Sequence, residues 1–479
     1  QVAPYIDPKA HVTMVPLRVI SESLGADVRW TQRTHTVDIY RDNSHISMSV
    51  GQPYARVDGR QVGLLASVQL TRNTTMVPVR FIAEEFGIQV SWNSSTRSVH
   101  LRTNDHVDQG ENKEMKTELR GAWISTVFNL DWPSEDSYDK PSEQKQQFEE
   151  LLDELLEMGL NTVFVQVRPA GDALYPSSLV PWSKALTGTQ GKDPGYDPLE
   201  FMIEAAHERE MAFHAWFNPF RANTNIKRDG LAPQHVANTN PEWIIEAENK
   251  LFINPGVPEA RQHIVDAIVE VVTQYDVEGI HLDDYFYPPH VPFPDDAAFA
   301  AYNPTGLDHE IWRRSNINDF VEQLGIAIKE TNPQVEFGVS PFGVWRNHDV
   351  DPTGSETRAS VSTYDHMYAD VRTWIQQGWL DYVMPQVYWS MSLDAARYDK
   401  LVDWWVQEVK GTKVDLYIGH SPYKIGTQEN GWHTAQEIIN QLDYNKQYPQ
   451  IKGSVFFSAK DLRRDPLGII ELLSENYSK

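Results

Sequence analysis

The stretch GIHLDDYFYP, residues 279–288, runs from apolar residues into two adjacent aspartates, then three aromatics and a proline. Ile280 and Leu282 alternate with His281 and Asp283. That is the period-two spacing of a strand whose two faces meet different surroundings. Acids that merely cap a helix would be followed at once by that helix, but YFYPPHVPFPDD (285–296) reads as a proline-rich loop. A buried strand that ends in two like charges and an open loop reads as one whose carboxyl end faces a site.

Working outward, seven more runs have the same character: GAWIST (121–126), TVFVQV (162–167), AFHAWF (212–217), EFGVSP (336–341), YVMPQVYW (382–389), VDLYIG (414–419) and GSVFFS (453–458). Amphipathic helical segments separate them, among them EQKQQFEELLDELLEMGL (143–160), which closes on Gly159, and PEARQHIVDAIVEVVTQY (258–275). Strands and helices in strict alternation predict an α/β fold, a (β/α)8 TIM barrel over 119–479. A doubly wound open sheet is the alternative, but no glycine-rich phosphate loop follows the first strand.

A barrel of this kind carries its active site at the carboxyl ends of its strands. Polar residues should therefore gather there on one parity, and they do. Gln166 and Arg168 share the parity of Phe164, and His214, Trp216 and Asn218 share another face before Arg221. His281 precedes Asp283; Met384, Gln386 and Tyr388 lie on one face, and the seventh run ends at His420. An ordinary core explains one or two polar strand ends, not this many together.

With 42 basic and 67 acidic residues, the formal charge of −25 disfavours nucleic acid and anionic membranes as partners. It also leans toward a neutral or cationic polymer over an anionic wall. No apolar run of 18 or more occurs, so no membrane span is expected. The absence of cysteine removes disulfides, thiol catalysis and Cys-ligated zinc.

The front of the chain is a repeat. TMVPLRVISESLGADVRW (13–30) returns as TMVPVRFIAEEFGIQVSW (75–92), with Met14, Pro16, Arg18, Gly25, Trp30, Thr34 and Val37 recurring at Met76, Pro78, Arg80, Gly87, Trp92, Thr96 and Val99. In each copy Pro stands near a helix start, Gly near its end, and alternating strand residues follow. The expectation is a small duplicated α+β domain over 1–103, joined by a polar linker over 104–118. The repeat resembles the copper amine oxidase N-terminal domain, also called a stalk domain. That resemblance implies a spacer or a wall-associated adaptor. Copper is not expected, because His11, His35, His45 and His100 lack ligand spacing.

Each candidate site residue has a bland reading beside the functional one. Asp283 and Asp284 are read as catalytic, and Tyr285, Phe286 and Tyr287 beside them suit the apolar face of a sugar ring. Arg168 and Asp172, in QVRPAGDALYPS (166–177), are either substrate contacts or a structural ion pair. Asn218 and Arg221 follow the third strand, where Asn218 is the better ligand and His214 the more ordinary core histidine. Gln386 and Tyr388 are favoured as site residues. Asp131 and Trp132, in the first loop, fit substrate contact or loop packing equally. His281 with Asp283 is weak evidence for a metal, so neither metal nor cofactor is expected. Lys460 and Asp461 are read as structural.

RGAWISTVFNLDWPS (120–134), QVRPAGDALYPS, WFNPFR (216–221), GIHLDDYFYP and MPQVYW (384–389) together resemble the glycosyl-hydrolase-like family 10 barrels over roughly 119–470. The resemblance implies a bacterial glycosidase acting on glycans outside the cytoplasm, one branch on peptidoglycan strands stripped of peptides. Adjacent acids cannot easily straddle a glycosidic bond. They are more similar to the pair in substrate-assisted N-acetylhexosaminidases and family 18 chitinases, whose GIDLDWEYP-like run has its catalytic Glu where this chain has Tyr285. The implied roles are Asp284 as general acid and Asp283 as holder of the substrate acetamide. Tyr388 and Asn218 would bond the acetamide oxygen or ring hydroxyls, and Arg168 and Gln386 would position the sugar. The alternatives are an exopolysaccharide hydrolase pairing Asp284 with Asp172 or Asp131, and a glycan-binding barrel without chemistry.

Overall fold

Parallel strands wrapped by helices must be apolar outside, while the barrel interior admits large or polar side chains only where neighbours leave room. The computed structural model describes residues 118–478 throughout, and before them 5–7, 13–17, 26–31, 34–41, 44–64, 66–71, 74–78, 81, 88–93 and 98–103. Two compact units divide the chain, Gln1–Lys113 and Glu114–Lys479.

In the second unit the eight expected strands close into a parallel barrel: β1 (Leu119–Ile124), β2 (Thr162–Arg168), β3 (Ala212–Phe217), β4 (Gly279–Leu282), β5 (Glu336–Val339), β6 (Tyr382–Val383), β7 (Asp415–His420) and β8 (Ile451–Phe456). An outer helix follows each in turn: α1 (Pro141–Glu157), α2 (Pro198–His207), α3 (Pro258–Gln274), α4 (His309–Thr331), α5 (Val371–Gln377), α6 (Tyr398–Val409), α7 (Gln436–Asn445) and α8 (Ile469–Tyr477). Helices α1, α2 and α3 begin on proline, whose missing N–H costs nothing in a first turn. On α1 the buried residues Phe148, Leu151, Leu152 and Leu155 recur at three- and four-residue spacing. Each leucine buried this way contributes about 2 kcal/mol.

The barrel lumen is filled by Trp123, Phe164, Trp216, Tyr382, Met384, Tyr417 and Val455. Such large rings fit because β4 and β5 carry glycine where they would otherwise collide. A Cβ at Gly279 would meet the His214 ring, and one at Gly338 would meet Tyr382.

One strand departs from simple alternation. Between Gln166 and Arg168 the register of β2 shifts, so that Gln166 pairs with lumen-facing Trp216 but Arg168 pairs with Phe217, which packs in the outer core. A bulge re-aims the side chains after it. Arg168 is accordingly buried on the outer side, feeling Tyr175, Asp172 and Glu270 of α3, with no hydrogen bond from its guanidinium to protein atoms. That placement fits a structural counter-charge to the two acids. Replacing it leaves Asp172 and Glu270 without their cation, a loss that costs about 3 kcal/mol for a buried charge. Arg168→Met is thus expected to lower Tm by several degrees in differential scanning calorimetry. An unchanged Tm would contradict this role.

The first unit pairs its two copies directly. Thr13–Pro16 runs antiparallel to Thr74–Pro78, with Met14 opposite Pro78 and Pro16 opposite Met76. Equivalent residues thus exchange partners about Val15 and Val77, as a local two-fold requires. The hairpins after them share a register too, since Trp30 faces Val37 and Trp92 faces Val99. The helices expected between Pro16 and Gly25 and between Pro78 and Gly87, and the linker up to residue 117, lie outside the described residues.

Candidate active site

The acid pair stands where β4 gives way to its loop, and the fold treats its two members differently. Asp283 follows the inward parity of His281 and is buried. Its Oδ2 accepts from Trp216 Nε1 and from Asn218 Nδ2, both at 3.0 Å, and its Oδ1 accepts from the Tyr285 N–H at 3.2 Å. Asp284 is half-buried on the side of Gln386, which donates a hydrogen bond to it. Burial pushes Asp283 up to about 7, opposed by Arg221, with the charge of Asp284 adding to the rise. Burial likewise pushes Asp284 up to about 6, opposed by Gln386.

Neighbouring carboxyls this close titrate as a pair. Each hydrogen-bond partner of Asp283 is an N–H donor, and the Arg221 charge is nearby; these favour its charged form, but burial outweighs them and leaves Asp283 the higher of the two. Asp283 is thus the member held in place by N–H donors, and Asp284, half-buried, is the member open to a substrate. That division is what a general acid beside a fixed carboxylate needs.

The supports come from several strands. Asn218, just past β3, spends its amide on Asp283 and its Oδ1 on the Arg221 N–H at 3.0 Å. Fully buried, it holds Asp283 in place. Arg221 opens a short strand, Arg221–Asn223, pairing with Lys250–Ile253, and its Nε donates to Pro169 O at 2.8 Å. Its guanidinium lies over the Tyr285 ring, 5.3 Å from the centroid, and that ring is 47% exposed at the mouth. Gln386 is anchored by donating from Nε2 to Ser340 O at 2.9 Å. The Tyr388 phenol is raised well above its ordinary value by burial, Tyr423 and Asp284, so it stays a neutral donor.

Beneath the pair lies an uncharged floor. Trp123 Nε1 donates to His281 Nε2 at 3.1 Å, and an indole N–H can only donate, so the ring proton of His281 is on Nδ1. That proton faces Tyr382 Oη at 3.0 Å, and the phenol in turn reaches His214 Nδ1 at 3.2 Å. Burial and the neighbouring His214 hold His281 well below its ordinary value, hence neutral. Its lone pair is already taken by Trp123, which leaves it a poor metal ligand.

Three expected contacts are not at the mouth. Trp132 is 1% exposed, donates to Gln144 O of α1 at 2.8 Å and packs edge-on against Phe148. Asp172 is buried, accepting from the Ala170 N–H at 2.9 Å, and Arg168 is turned away by the bulge. Asp131 is likewise occupied: it accepts from Ser125 N, Ser458 Oγ and Lys460 N, tying the first loop to the last. His420 is a core histidine between Gln441 and Ser454. Trp216 is the partner that spacing did not single out, although it shares the inward face with His214 and Asn218.

The chain is similar to several known proteins. A model of the family described as Glycosyl hydrolase-like 10 matches residues 118–434, and one described as Copper amine oxidase N-terminal domain matches residues 1–101. Glycosyl hydrolase YngK of Bacillus subtilis (strain 168) is 48% identical over 375 residues, covering 77% of this chain and 73% of that protein. Glycosyl hydrolase DigH of Escherichia coli (strain K12) is 41% identical over 362 residues, covering 71% and 82%. Among solved structures, alpha-L-fucosidase isoenzyme 2 from Paenibacillus thiaminolyticus gives a TM-score of 0.48 at 14% identity, over 76% of this chain and about half (49%) of that one.

Proposed function

The chain belongs to the glycosyl hydrolase-like 10 family and is a glycoside hydrolase; from that premise we propose that it cuts an N-acetylated amino-sugar polysaccharide, the glycan strands of peptidoglycan freed of peptides. The observation that carries the reading is the division of labour in the acid pair. Asp283 is pinned by three N–H donors, and its Oδ1 is engaged only by the Tyr285 N–H. That oxygen keeps a lone pair with which to hold an acetamide N–H. An acetamide N–H bonded to Asp283 favours its charged form and leaves the pair's proton to Asp284, half-buried beside Gln386 and Tyr388.

The reaction follows. The acetamide oxygen attacks the anomeric carbon as the bond to the leaving oxygen breaks, and Asp284 gives that oxygen its proton. Asp283 stabilises the positive charge of the oxazolinium through its N–H. Water then opens the ring, Asp284 takes the water's proton, and the anomeric configuration is retained. The first product thus leaves a hemiacetal and a free sugar hydroxyl, the net result of adding one water.

The occupied states of Asp131 and Asp172 favour this route over a conventional two-carboxylate one, because neither acid is free to act with Asp284. Such an enzyme works outside the cytoplasm of a bacterium, with the 1–103 unit as a spacer or a wall adaptor. Among the described residues no helix is long and apolar enough to cross a membrane. The test is digestion of denuded strands beside chemically N-deacetylated ones, with products identified by mass spectrometry. Cleavage of the acetylated strand alone is expected. Equal cleavage of both would sink acetamide participation, and cleavage of neither would move the substrate to another polysaccharide.

A further inference from the structure

The acid pair lies at β4, yet a group of aromatic rings stands across the mouth on the far strands. Tyr388 follows β6, Tyr423 follows β7 and Phe457 follows β8. Their centroids are 6.0 Å apart for Tyr388 and Tyr423, 6.3 Å for Tyr388 and Phe457, and 6.4 Å for Tyr423 and Phe457. Tyr388 and Phe457 are nearly parallel, at 27°, while Tyr423 stands edge-on to both. Trp123 supports Phe457 from below. Tyr423 is 41% exposed, and Phe128, in the loop that Asp131 ties to the β8 loop, is 69% exposed with a φ of 56°.

We infer that Tyr423 and Phe457, continuing from Tyr388, form a second sugar-binding platform, so that the substrate strand crosses the mouth from the Arg221–Tyr285 rim to the β7–β8 rim. The inference rests on the reading of the mouth as an amino-sugar glycan site. Three observations commit the rings to a sugar. They are continuous with the chemistry, since the Tyr388 phenol feels both Asp284 and Tyr423. They are too few for a stable protein interface, which buries on the order of 800 Å² per partner. Half-exposed rings beside polar groups match the C–H face and hydroxyl edge of a pyranose. With sugars held on both sides of the acids, cleavage falls inside a strand, not at its end.

The test measures binding by calorimetry with the full chain carrying Asp284→Asn, with and without Tyr423→Ala. The probes are octasaccharide and tetrasaccharide fractions of denuded peptidoglycan strands, alongside N-acetylglucosamine oligomers of the same lengths. Tyr423→Ala is expected to lower the octasaccharide-to-tetrasaccharide affinity ratio about tenfold, and Tyr423→Phe to restore it, since the ring and not the hydroxyl does the stacking. An unchanged ratio in both series, or no binding in either, overturns the platform. Cleavage of strands by the wild type together with an unchanged ratio removes the platform and keeps the proposed function. A tenfold fall with N-acetylglucosamine oligomers, in a protein that never cuts strands, keeps the platform and removes the peptidoglycan substrate.

Discussion

Asp284→Asn is expected to lower kcat on denuded glycan strands by about 1,000-fold while KM stays within about threefold, because asparagine keeps the shape of the side chain but has no proton to give the leaving oxygen. The loss should depend on the leaving group. An aryl glycoside whose phenol leaves unaided needs little acid, so the same variant should lose far less on it. The wild-type profile of kcat/KM against pH should be a narrow bell. Its limbs follow the coupled ionisations that burial has pushed to about 6 and about 7, with activity highest where the pair holds one proton. In Asp284→Asn on the aryl substrate the alkaline limb should vanish, since that limb reports loss of the acid's proton. Retention of more than a tenth of kcat on strands, or an unchanged alkaline limb, would move the acid elsewhere.

The second large effect concerns Asp283. Asp283→Asn should cost about 100-fold or more in kcat on strands and on aryl glycosides alike, because charge on the acetamide nitrogen develops whatever the leaving group. Stability should move the other way. Burial raises the folded carboxyl to about 7, well above the value near 4 of an unfolded aspartate. Between those values the folded chain holds a proton that the unfolded chain releases, so stability falls as pH rises through that window. Above the folded value the penalty is present in full. Replacing the carboxylate with a neutral amide removes it, so Tm of Asp283→Asn should exceed wild type by about 2 °C at pH 8 and match it near pH 4. Equal Tm differences at both pH values would mean that Asp283 carries no desolvation penalty. Stability gained where activity is lost is the usual mark of a strained catalytic group.

Period-two alternation made all eight barrel strands legible, since parallel strands under helices leave a strong apolar signature. Repetition marked Thr13–Pro16 and Thr74–Pro78 as equivalent, but that both are strands came only with the structure. Parity at the strand ends pointed to Asp283, Gln386 and Tyr388, which follow β4 and β6. It failed at Arg168, where a single extra residue in β2 swaps faces, and bulges leave no trace in composition. Asn218 stands at the end of its strand as parity has it, with its amide bonded to Asp283.

The architecture and its landmarks are legible along the chain: a barrel, a duplicated front unit, and an acid pair at the fourth strand. These follow from local periodicity, which each residue carries with it. Folding adds how deeply each acid of the pair is buried, where Trp132, Arg168 and Asp172 are packed, and that rings following β6, β7 and β8 meet in one group. Those outcomes depend on contacts between residues far apart in the chain, such as Trp216 with Asp283 or Asp131 with Ser458. A carboxylate's proton affinity is set by how much water and how many N–H donors surround it, and that is known only once the chain has closed around it.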